Sequence, residues 1–442
     1  MPDCSYTDII GYPELPRLEV RYVIPADRMV SDVIVSDSVV QFLQGDYLIL
    51  PHQPSSKIGD PSTFLVQPDS SIYRSNFPYP RKAVEIVDHY YEFGYHIALL
   101  YVYPLVYYPM QQTMLFYSSI SYSLSLSNNG MIIQQPNKES ERMSELCKLQ
   151  LKSKIRNVNA LDGNNGRVTE VNGMNESCPL SNLLLSNEFG YCPEYLIITN
   201  DRDINGNELE PFENQSMTDL FQNYADWKTK KGVPSVVVTV DGINDNYAGN
   251  DIQAKIHNFL ADVYYEIGSL YVLLGGDINI VPERVIRMDK YCNGDVDQLI
   301  FATDLYYSAI ESSWDSNLNG EYGETTLISN GIGNHWQNND NSDDYADFLL
   351  ARMPVSNCAK AYSFINKTCN YERMLDINAL NRKYTNNIVA LLAFNDKVDD
   401  PENTPFNNFM QTTNRIFGIT EPANNGIIQE SILKWRGFAP LR

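Results

Sequence analysis

Two periodicities of apolar and polar residues divide this chain. From about Gly11 to Ser127 the two kinds alternate in short runs rich in β-branched and aromatic side chains, and Pro, Gly and Asp-Ser breaks separate the runs. In the run from Ile120 to Leu126, apolar side chains fall on one face of a strand and serines on the other. The alternation predicts an antiparallel β-sandwich over residues 1–127.

After Pro193 the pattern changes to alternating strands and helices. The predicted order is a strand at Tyr195–Thr199, a helix opened by a capping box at Ser216, a strand at Pro234–Val240, a helix from Asp251 and a strand at Leu270–Leu274. Strands that are apolar throughout are typical of a parallel sheet with helices on both faces. Further strands are predicted at Thr303–Ile310, Phe348–Arg352 and Asn387–Phe394, and helices at Ser356–Leu375 and Phe406–Phe417.

Residues 128–192 have little apolar periodicity and are rich in Asn, Ser, Glu and Lys, which predicts a linker with one short helix near Ser140–Lys152. Lys154, Arg156 and Arg167 in this segment are candidate processing sites, although the composition is equally typical of an ordinary mobile connection. The predicted organisation is a sandwich over 1–127, a linker over 128–192 and an α/β domain over 193–442.

Composition and charge narrow the classes of partner. The chain has 442 residues, of which 43% are hydrophobic and 12% aromatic, as in globular proteins. Its 33 basic and 55 acidic residues give a net charge of −22, which disfavours nucleic acids and anionic membranes and favours cations or basic substrates. We expect no membrane span, because the longest apolar run, Ile97–Met110, contains two prolines and a spanning helix needs about 20 residues. No signal peptide is visible.

Seven cysteines lie along the chain without CxxC spacing, which argues against a zinc site. Disulfides joining Cys178 to Cys192 or Cys358 to Cys369 would be compatible with the spacing, but two cysteines on one helix face are more often packing residues. Three sequons, at Asn175, Asn214 and Asn366, are compatible with export and with chance alike. The compartment therefore stays open from these residues alone.

The segment from Asp315 to Gly320 has the D-x-N-x-N-G spacing of a calcium loop, in which oxygens at alternate positions converge on one hard cation. An EF-hand would place a carboxylate at the twelfth position, where this chain has Thr326. The predicted calcium ligands are Asp315, Asn317, Asn319, Glu321 and Glu324. The alternative is a hairpin with solvated charges, which is also how we interpret the acidic run of Asp340, Asp343 and Asp344.

Other candidate site residues lie at or near the ends of the predicted parallel strands. Ligands of such sheets bind outside the carboxyl ends of the strands, so these residues are expected at one edge. They are Asn200, Asp241, Gly275, Gly276, Asp277, Asp304, Asn395 and Asp396. In the alternative interpretation, the two glycines form a tight turn and Asp277 caps its amides.

Four segments resemble the gingipain-type cysteine peptidases: YVLLGGDINIVP from Tyr271, TDLYYS from Thr303, WDSNLNGEYGE from Trp314 and LLARMPVS from Leu349. The N-terminal YPELP, IYRSNFPYP and VYPLVYYP segments are similar to the propeptide domain of the family, although an immunoglobulin-like surface module shares much of this pattern. The resemblance implies a caspase-like α/β domain behind a pro-domain, an exported or cell-surface protein, and cysteine endopeptidase activity on protein or peptide substrates in complete members.

The His-Gly and Ala-Cys segments that carry the catalytic dyad of this family have no match in the chain. The histidines are His52, His89, His96, His257 and His335. Their spacing predicts no pairing with Cys292, Cys358 or Cys369, so no catalytic residue is identified. The family layout would place the dyad shortly past Arg442, and we expect the chain as given to be inactive. The alternative is a non-catalytic, calcium-stabilised surface or binding protein that keeps the fold without the dyad.

Overall fold

A computed structural model describes residues 4–53, 65–128, 136, 138–162, 170–172, 192–292, 295–330, 333–373, 387–388 and 433–434. The chain divides into two compact units. The larger comprises residues 1–54 and 64–369, and the smaller comprises residues 55–63 and 370–442. In the smaller unit, the described elements are the end of helix α6 (Cys358–Arg373) and a two-stranded antiparallel ladder of β18 (Asn387–Ile388) and β19 (Leu433–Lys434).

The N-terminal part of the larger unit contains two antiparallel sheets where the alternation predicts strands. The first has the order β1-β2-β5-β4 and the second β3-β7-β6. The elements are β1 (Ser5–Tyr6), β2 (Pro16–Val23), β3 (Arg28–Leu43), α1 (Ser70–Tyr73), β4 (Val84–Glu92), β5 (Tyr95–Val102), β6 (Leu105–Tyr108) and β7 (Thr113–Asn128). An apolar cluster with Ala98 and Leu100 from the first sheet and Val30 and Leu124 from the second joins them face to face.

A packed segment follows the two sheets, within the range predicted as a linker. It contains β8 (Lys138–Ser140), α2 (Glu141–Lys152) and β9 (Glu170–Asn172), and β8 pairs with β9 in parallel. Helix α2 begins where predicted, because the Ser140 side chain accepts a hydrogen bond from the Met143 N–H at 3.2 Å. Cys147 and Leu151 are buried in one cluster with residues of β4 and β5, so residues 140–161 are part of the folded core.

The predicted parallel sheet is present in the second half of the larger unit. Its four strands have the order β11-β10-β12-β17, and every neighbouring pair is parallel. The elements are β10 (Tyr195–Thr199), α3 (Met217–Lys230), β11 (Ser235–Thr239), α4 (Val240–Asn246), α5 (Ile252–Ile267), β12 (Tyr271–Gly275), β17 (Leu349–Met353) and α6 (Cys358–Arg373). Ser216 and Asp219 form the predicted capping box of α3. Apolar residues of α3, α5 and α6 share one core cluster with the strands.

A second four-stranded sheet was not predicted. Its order is β14-β13-β15-β16, with β13 (Arg284–Cys292), β14 (Asp295–Thr303), β15 (Thr325–Asn330) and β16 (Gly333–Asn338). Strand β13 pairs antiparallel with β14 and parallel with β15. The predicted strand at Thr303–Ile310 is wrong: after Thr303 the chain forms a 3₁₀ turn at Leu305–Tyr307. The apolar run there fills the core with Tyr306 and Tyr307 rather than extending as a strand.

The predictions for the last part of the chain are only partly covered. Helix α6 and strand β17 lie within a few residues of their predicted bounds. Of the strand predicted at Asn387–Phe394, the first two residues form β18. The helix predicted at Phe406–Phe417 lies outside the described residues. Within the described part of the chain, no helix is long and apolar enough to cross a membrane.

Candidate functional site

The carboxyl ends of the parallel strands bring together several of the predicted edge residues. Asn200, after β10, donates a hydrogen bond to the Asp241 carboxylate at 3.1 Å, and the Asp241 N–H donates to the Asn200 side-chain oxygen at 3.2 Å. The Thr199 hydroxyl donates to the Gly275 carbonyl at the end of β12. These contacts join three neighbouring strands at the edge where ligands of parallel sheets bind.

Packing accounts for the two glycines of the Gly275-Gly276-Asp277 segment. A methyl group added to Gly275 would lie 2.8 Å from the Phe221 ring, and one added to Gly276 would lie 2.6 Å from Cβ of Ile280. The Asp277 carboxylate accepts a hydrogen bond from the Asn279 N–H at 3.0 Å, so it caps its own turn. The segment lies at the predicted edge, and its described contacts are those of a tight turn.

Asp304 is linked to this segment by an arginine that sequence analysis missed. Arg352 of β17 donates two hydrogen bonds to the Asp304 carboxylate, at 2.6 and 2.7 Å. The same guanidinium donates to the carbonyls of Gly276 and Val281. Asp304 therefore orients an arginine that fixes the loop after β12. The other two predicted edge residues, Asn395 and Asp396, lie outside the described residues.

Four of the five predicted calcium ligands take part in hydrogen bonds within the loop after Trp314. The Asp315 carboxylate accepts hydrogen bonds from the N–H groups of Asn319 and Gly320, at 3.0 and 3.1 Å. The side-chain amides of Asn317 and Asn319 both donate to the same Glu324 oxygen, at 2.8 Å each. Glu321, in contrast, pairs with Arg287 of β13. The loop thus gathers two side-chain amides at the Glu324 carboxylate, while the Asp315 carboxylate binds the backbone of the turn.

Asp340, which lies further along the chain, also binds this loop. Its two carboxylate oxygens accept hydrogen bonds from the N–H groups of Ser316 and Glu324, at 3.2 and 2.8 Å. Burial and the nearby Glu324 carboxylate raise its pKa. The interpretation of Asp340, Asp343 and Asp344 as a solvated run is therefore wrong for Asp340, which is buried, and for Asp343, which is half-buried; only Asp344 is exposed. No local pattern signals this role, because Asp340 lies 16 residues from Glu324.

A cleft of about 300 Å³ borders the same loop. Arg284 lies in its wall and is only 4% exposed. Its guanidinium makes two 2.8 Å hydrogen bonds to Asp251 and lies 3.6 Å from the centre of the Tyr322 ring. The arginine is therefore held by an ion pair and an aromatic ring, and both interactions serve the structure.

Among the residues whose side chains the structure describes, no hydrogen bond joins a cysteine to a histidine. Cys358 is buried in the core, and His257 contacts the Ala309 carbonyl at 3.3 Å. His335 lies in strand β16 rather than in the predicted polar loop. Cys292 lies in β13, and β15 runs between the two strands. Two ladder spacings separate their backbones, roughly 9–10 Å.

The cysteine pairings proposed from spacing have different outcomes. Cys358 and Cys369 are buried thiols and do not form a disulfide with each other. Cys192 is disulfide-bonded. Cys178 lies outside the described residues.

Two family models match the chain. The model described as Peptidase family C25 matches residues 191–427, which is more than half of the chain, and the model Propeptide_C25 matches residues 1–151. A solved complex of Porphyromonas gingivalis RgpB pro- and mature domains is 18% identical, with 36% of this chain and 77% of that chain covered and a TM-score of 0.29. A structure on the zymogenic latency of gingipain K from Porphyromonas gingivalis is 21% identical, with 28% and 71% covered and a TM-score of 0.23. No curated protein matches the chain.

Proposed function

This chain belongs to peptidase family C25, and from that membership we propose that it carries the pro-domain and the first part of the catalytic domain of a cysteine-type endopeptidase. The observation that carries the proposal is the pair of family matches, which assign residues 1–151 to a propeptide and 191–427 to a peptidase. Its substrates are proteins or peptides. The reactive cysteine and histidine lie outside the described residues.

The α/β part is arranged as a caspase-like domain in this proposal, with helices on both faces of the parallel sheet. The order β11-β10-β12-β17 and the shared core of α3, α5 and α6 support that arrangement. In this proposal, the reacting groups lie at the edge of the parallel sheet that Asn200, Asp241, Gly276 and Arg352 form. These residues position backbone rather than perform chemistry, since their described partners are other protein groups.

We propose further that the protein is secreted or displayed at the cell surface. The disulfide at Cys192 supports this localisation, because structural disulfides persist in oxidising compartments. The strongly acidic balance is compatible with an extracellular, calcium-containing medium.

The loop of Asp315 is the proposed calcium site of this domain. Asn317 and Asn319 both direct their amide nitrogens at Glu324. Rotation of each amide by half a turn would present an oxygen beside the Glu324 carboxylate. The rotation breaks the hydrogen bonds that these oxygens accept from the N–H groups of Asn319 and Glu321, so calcium has to compensate for that loss. Calcium takes six to eight oxygens, and the buried Asp340 adds negative charge behind the loop. Glu321 is engaged by Arg287 and is not needed.

Calcium should raise the thermal stability of the protein, because a ligand that binds only the native state stabilises it. We expect the melting temperature to rise by several degrees between chelator and millimolar calcium. Asp315→Ala together with Asn317→Ala should abolish the rise. Asp203→Ala is the matched control, since Asp203 caps a similar Asn-rich turn by accepting hydrogen bonds from the N–H groups of Asn205 and Asn207. Identical melts of the unmutated protein in the two buffers would end the proposal.

The endopeptidase proposal is tested by turnover of a broad peptide library with thiol reductant and calcium present. The chain of 442 residues is compared with the product of its complete reading frame. We expect cleavage by the complete product alone, because catalysis needs a thiolate beside a histidine. If that product is inactive as well, the non-catalytic, calcium-stabilised binding protein becomes the better assignment. Activity of the short chain that is lost on Cys292→Ala or His335→Ala would show that the dyad is local after all.

A further inference from the structure

Strand β14 lies at the outer edge of its sheet, and one side of it is open among the residues that the structure describes. Its neighbour is β13, and their nine residue pairs follow each other without a register shift. No other strand of the described ranges pairs with β14. Its outward backbone N–H and C=O groups therefore form a regular row that can take up another extended chain.

Another long edge strand, β3, is protected against such pairing. It pairs with β7 through three register shifts, and the carboxylates of Asp32 and Asp37 accept hydrogen bonds from the N–H groups of the residues that follow them. Bulges and charged side chains on an edge strand prevent pairing with another chain. Residues 298–303 of β14 contain no register shift, no charge and no proline. The edge of β14 is thus the less protected of the two.

Large apolar side chains are exposed on both faces of this stretch. Leu299 and Phe301 are 42% and 44% exposed, and Ile300 between them is 66% exposed. Successive side chains of a strand point to opposite faces, so Ile300 lies on one face and the other two residues lie on the other. A strand added beside β14 would cover part of all three, which accounts for apolar side chains at these positions.

The cleft of about 300 Å³ described above borders the Ile300 face of β14. Gln298 and Ile300 line it together with Glu321 and Tyr322. The side chains of Glu321 and Asp251 in its wall are 44% and 38% exposed, and each carboxylate pairs with an arginine of β13. A side chain directly opposite Ile300 on an added strand would face the cleft. A long basic side chain would therefore reach two partly exposed carboxylates.

Charge decides between the strands that could occupy this edge. Residues 193–369 contain 27 acidic and 11 basic residues, so this part holds a net charge of −16 out of −22 for the whole chain. A second copy of the protein would be repelled by a surface of its own sign. An extended segment with basic side chains is attracted to the same surface.

We infer that β14 binds an extended segment of a protein substrate as an added strand, with aliphatic and basic side chains in alternation along the segment. Main-chain hydrogen bonds supply affinity, and the cleft selects the side chain opposite Ile300. Strand β14 ends at Thr303, and the next residue, Asp304, is bound by Arg352 at the carboxyl edge of the parallel sheet. A segment on β14 therefore leads to the edge at which the reacting groups are proposed to lie. That the bound protein is a substrate rests on the proposed function, whereas the strand pairing does not.

Binding is measured by fluorescence anisotropy on the chain of 442 residues, so that the test needs no catalytic group. The probe is a fluorescein-labelled peptide of about ten residues in which valine and lysine alternate. We expect saturable binding at micromolar chain concentrations, weakened by added salt. The same peptide with glutamate in place of lysine should bind at least about tenfold more weakly, because the acidic surface repels it. Absence of binding overturns the inference and leaves the endopeptidase proposal, which turnover tests, standing.

Ile300→Lys should weaken binding of the valine–lysine peptide at least about tenfold, because a lysine on an edge strand blocks pairing and repels this probe. If that variant fails to fold, Phe301→Lys takes its place. Val39→Lys on β3 is the matched control, since Val39 is 57% exposed on an edge strand and the charge changes equally. It should leave the affinity unchanged.

Equal affinities of the folded Ile300→Lys and Val39→Lys proteins would overturn pairing at β14. Sedimentation of the unmutated chain tests the competing occupant. A dimer that Ile300→Lys dissociates and that the peptide does not displace would also overturn the inference, because a second copy would then occupy the edge.

Discussion

The half-buried Arg352 and the buried His96 show how single polar side chains fix parts of this protein. The Arg352 guanidinium donates hydrogen bonds to the Asp304 carboxylate and to the carbonyls of Gly276 and Val281. Without the guanidinium, the carboxylate and both carbonyls would lose a hydrogen-bond donor at the same time. The conformation of the loop after β12 therefore depends on one residue of β17. In the N-terminal sheets, His96 is 1% exposed and stacks on Tyr91 with ring centres 4.3 Å apart.

The buried His96 should make the N-terminal sheets sensitive to acid. Burial and the neighbouring His89 lower its pKa to about 4, from an ordinary value of 6.5. The unfolded chain therefore binds the proton first, and stability falls as the pH is lowered from about 6.5 to about 4. The loss attributable to this group is about 2–3 kcal/mol.

His96→Phe keeps the stacked ring and removes the titration. We expect its urea midpoint to depend less on pH than that of the unmutated protein between pH 6.5 and 4. At neutral pH the variant should lose only the hydrogen bond to the Pro25 carbonyl, worth about 1 kcal/mol. Parallel curves for the two proteins across this range would contradict the assignment.

Helix α5 and strand β13 are joined by one charged contact. Asp251 caps the helix by accepting a hydrogen bond from the Ala254 N–H at 2.7 Å, and the same carboxylate receives the Arg284 fork. The rings of Tyr306 and Tyr322 lie within 4.5 Å of the guanidinium carbon. A planar cation is required here, because it makes two hydrogen bonds and two ring contacts at once.

Arg284→Lys should therefore destabilise the protein although the charge is kept. We expect a loss of about 2–3 kcal/mol in the free energy of unfolding, since a buried pair loses its geometry. Arg287→Lys, three residues along β13, is the matched control. Arg287 pairs with Asp289 near the surface, so its loss should stay at or below about 1 kcal/mol. Denaturant unfolding of the two variants checks the difference, and equal losses would refute this account.

The helices and the parallel strands were predictable because their signals are local. Ser216 and Asp219 lie within one turn, and Ile256, Phe259 and Val263 of α5 repeat at helical spacing. The sheet of β13 to β16 was missed because charged residues interrupt β13, and the strand is stabilised by partners far along the chain. Similarly, the predicted calcium ligands from Asp315 to Glu324 follow a spacing that is visible in the sequence. Asp340 and Arg352, in contrast, contact residues that are distant in sequence and come close only in the folded protein.

The two halves of the larger unit contact each other through a few defined groups. Tyr90 of β4 stacks on Tyr345 with ring centres 3.4 Å apart. Glu139 accepts a hydrogen bond from the Ser269 N–H at 3.3 Å, and Ser140 donates to Glu194 at 2.7 Å. Arg142 pairs with the same Glu194. Residues 139–142, here called the docking segment, therefore attach the N-terminal sheets to the α/β part.

Limited proteolysis should reflect this packing. Trypsin should not cut first at Lys154 or Arg156, because the Lys154 ammonium pairs with Glu92 and the Arg156 N–H donates to the Arg21 carbonyl at 2.8 Å. From the polar composition of residues 128–192 alone, we expect the first cut at another site in that range. Mass spectrometry of the first fragments decides: an initial fragment ending at Lys154 or Arg156 would contradict the packing. Early cutting within residues 236–274 would contradict the predicted domain organisation.

The docking segment lies on the N-terminal side of residues 163–191, and this order decides what a cut there would release. Before the cut, the N-terminal sheets and the α/β part belong to one chain, so their contact is intramolecular and does not depend on protein concentration. After it, the fragment carrying Glu139 and Arg142 becomes a separate ligand that contacts Ser269 and Glu194 of the α/β part. Its occupancy would then follow mass action, so that dilution alone, without a second cleavage, separates the two pieces.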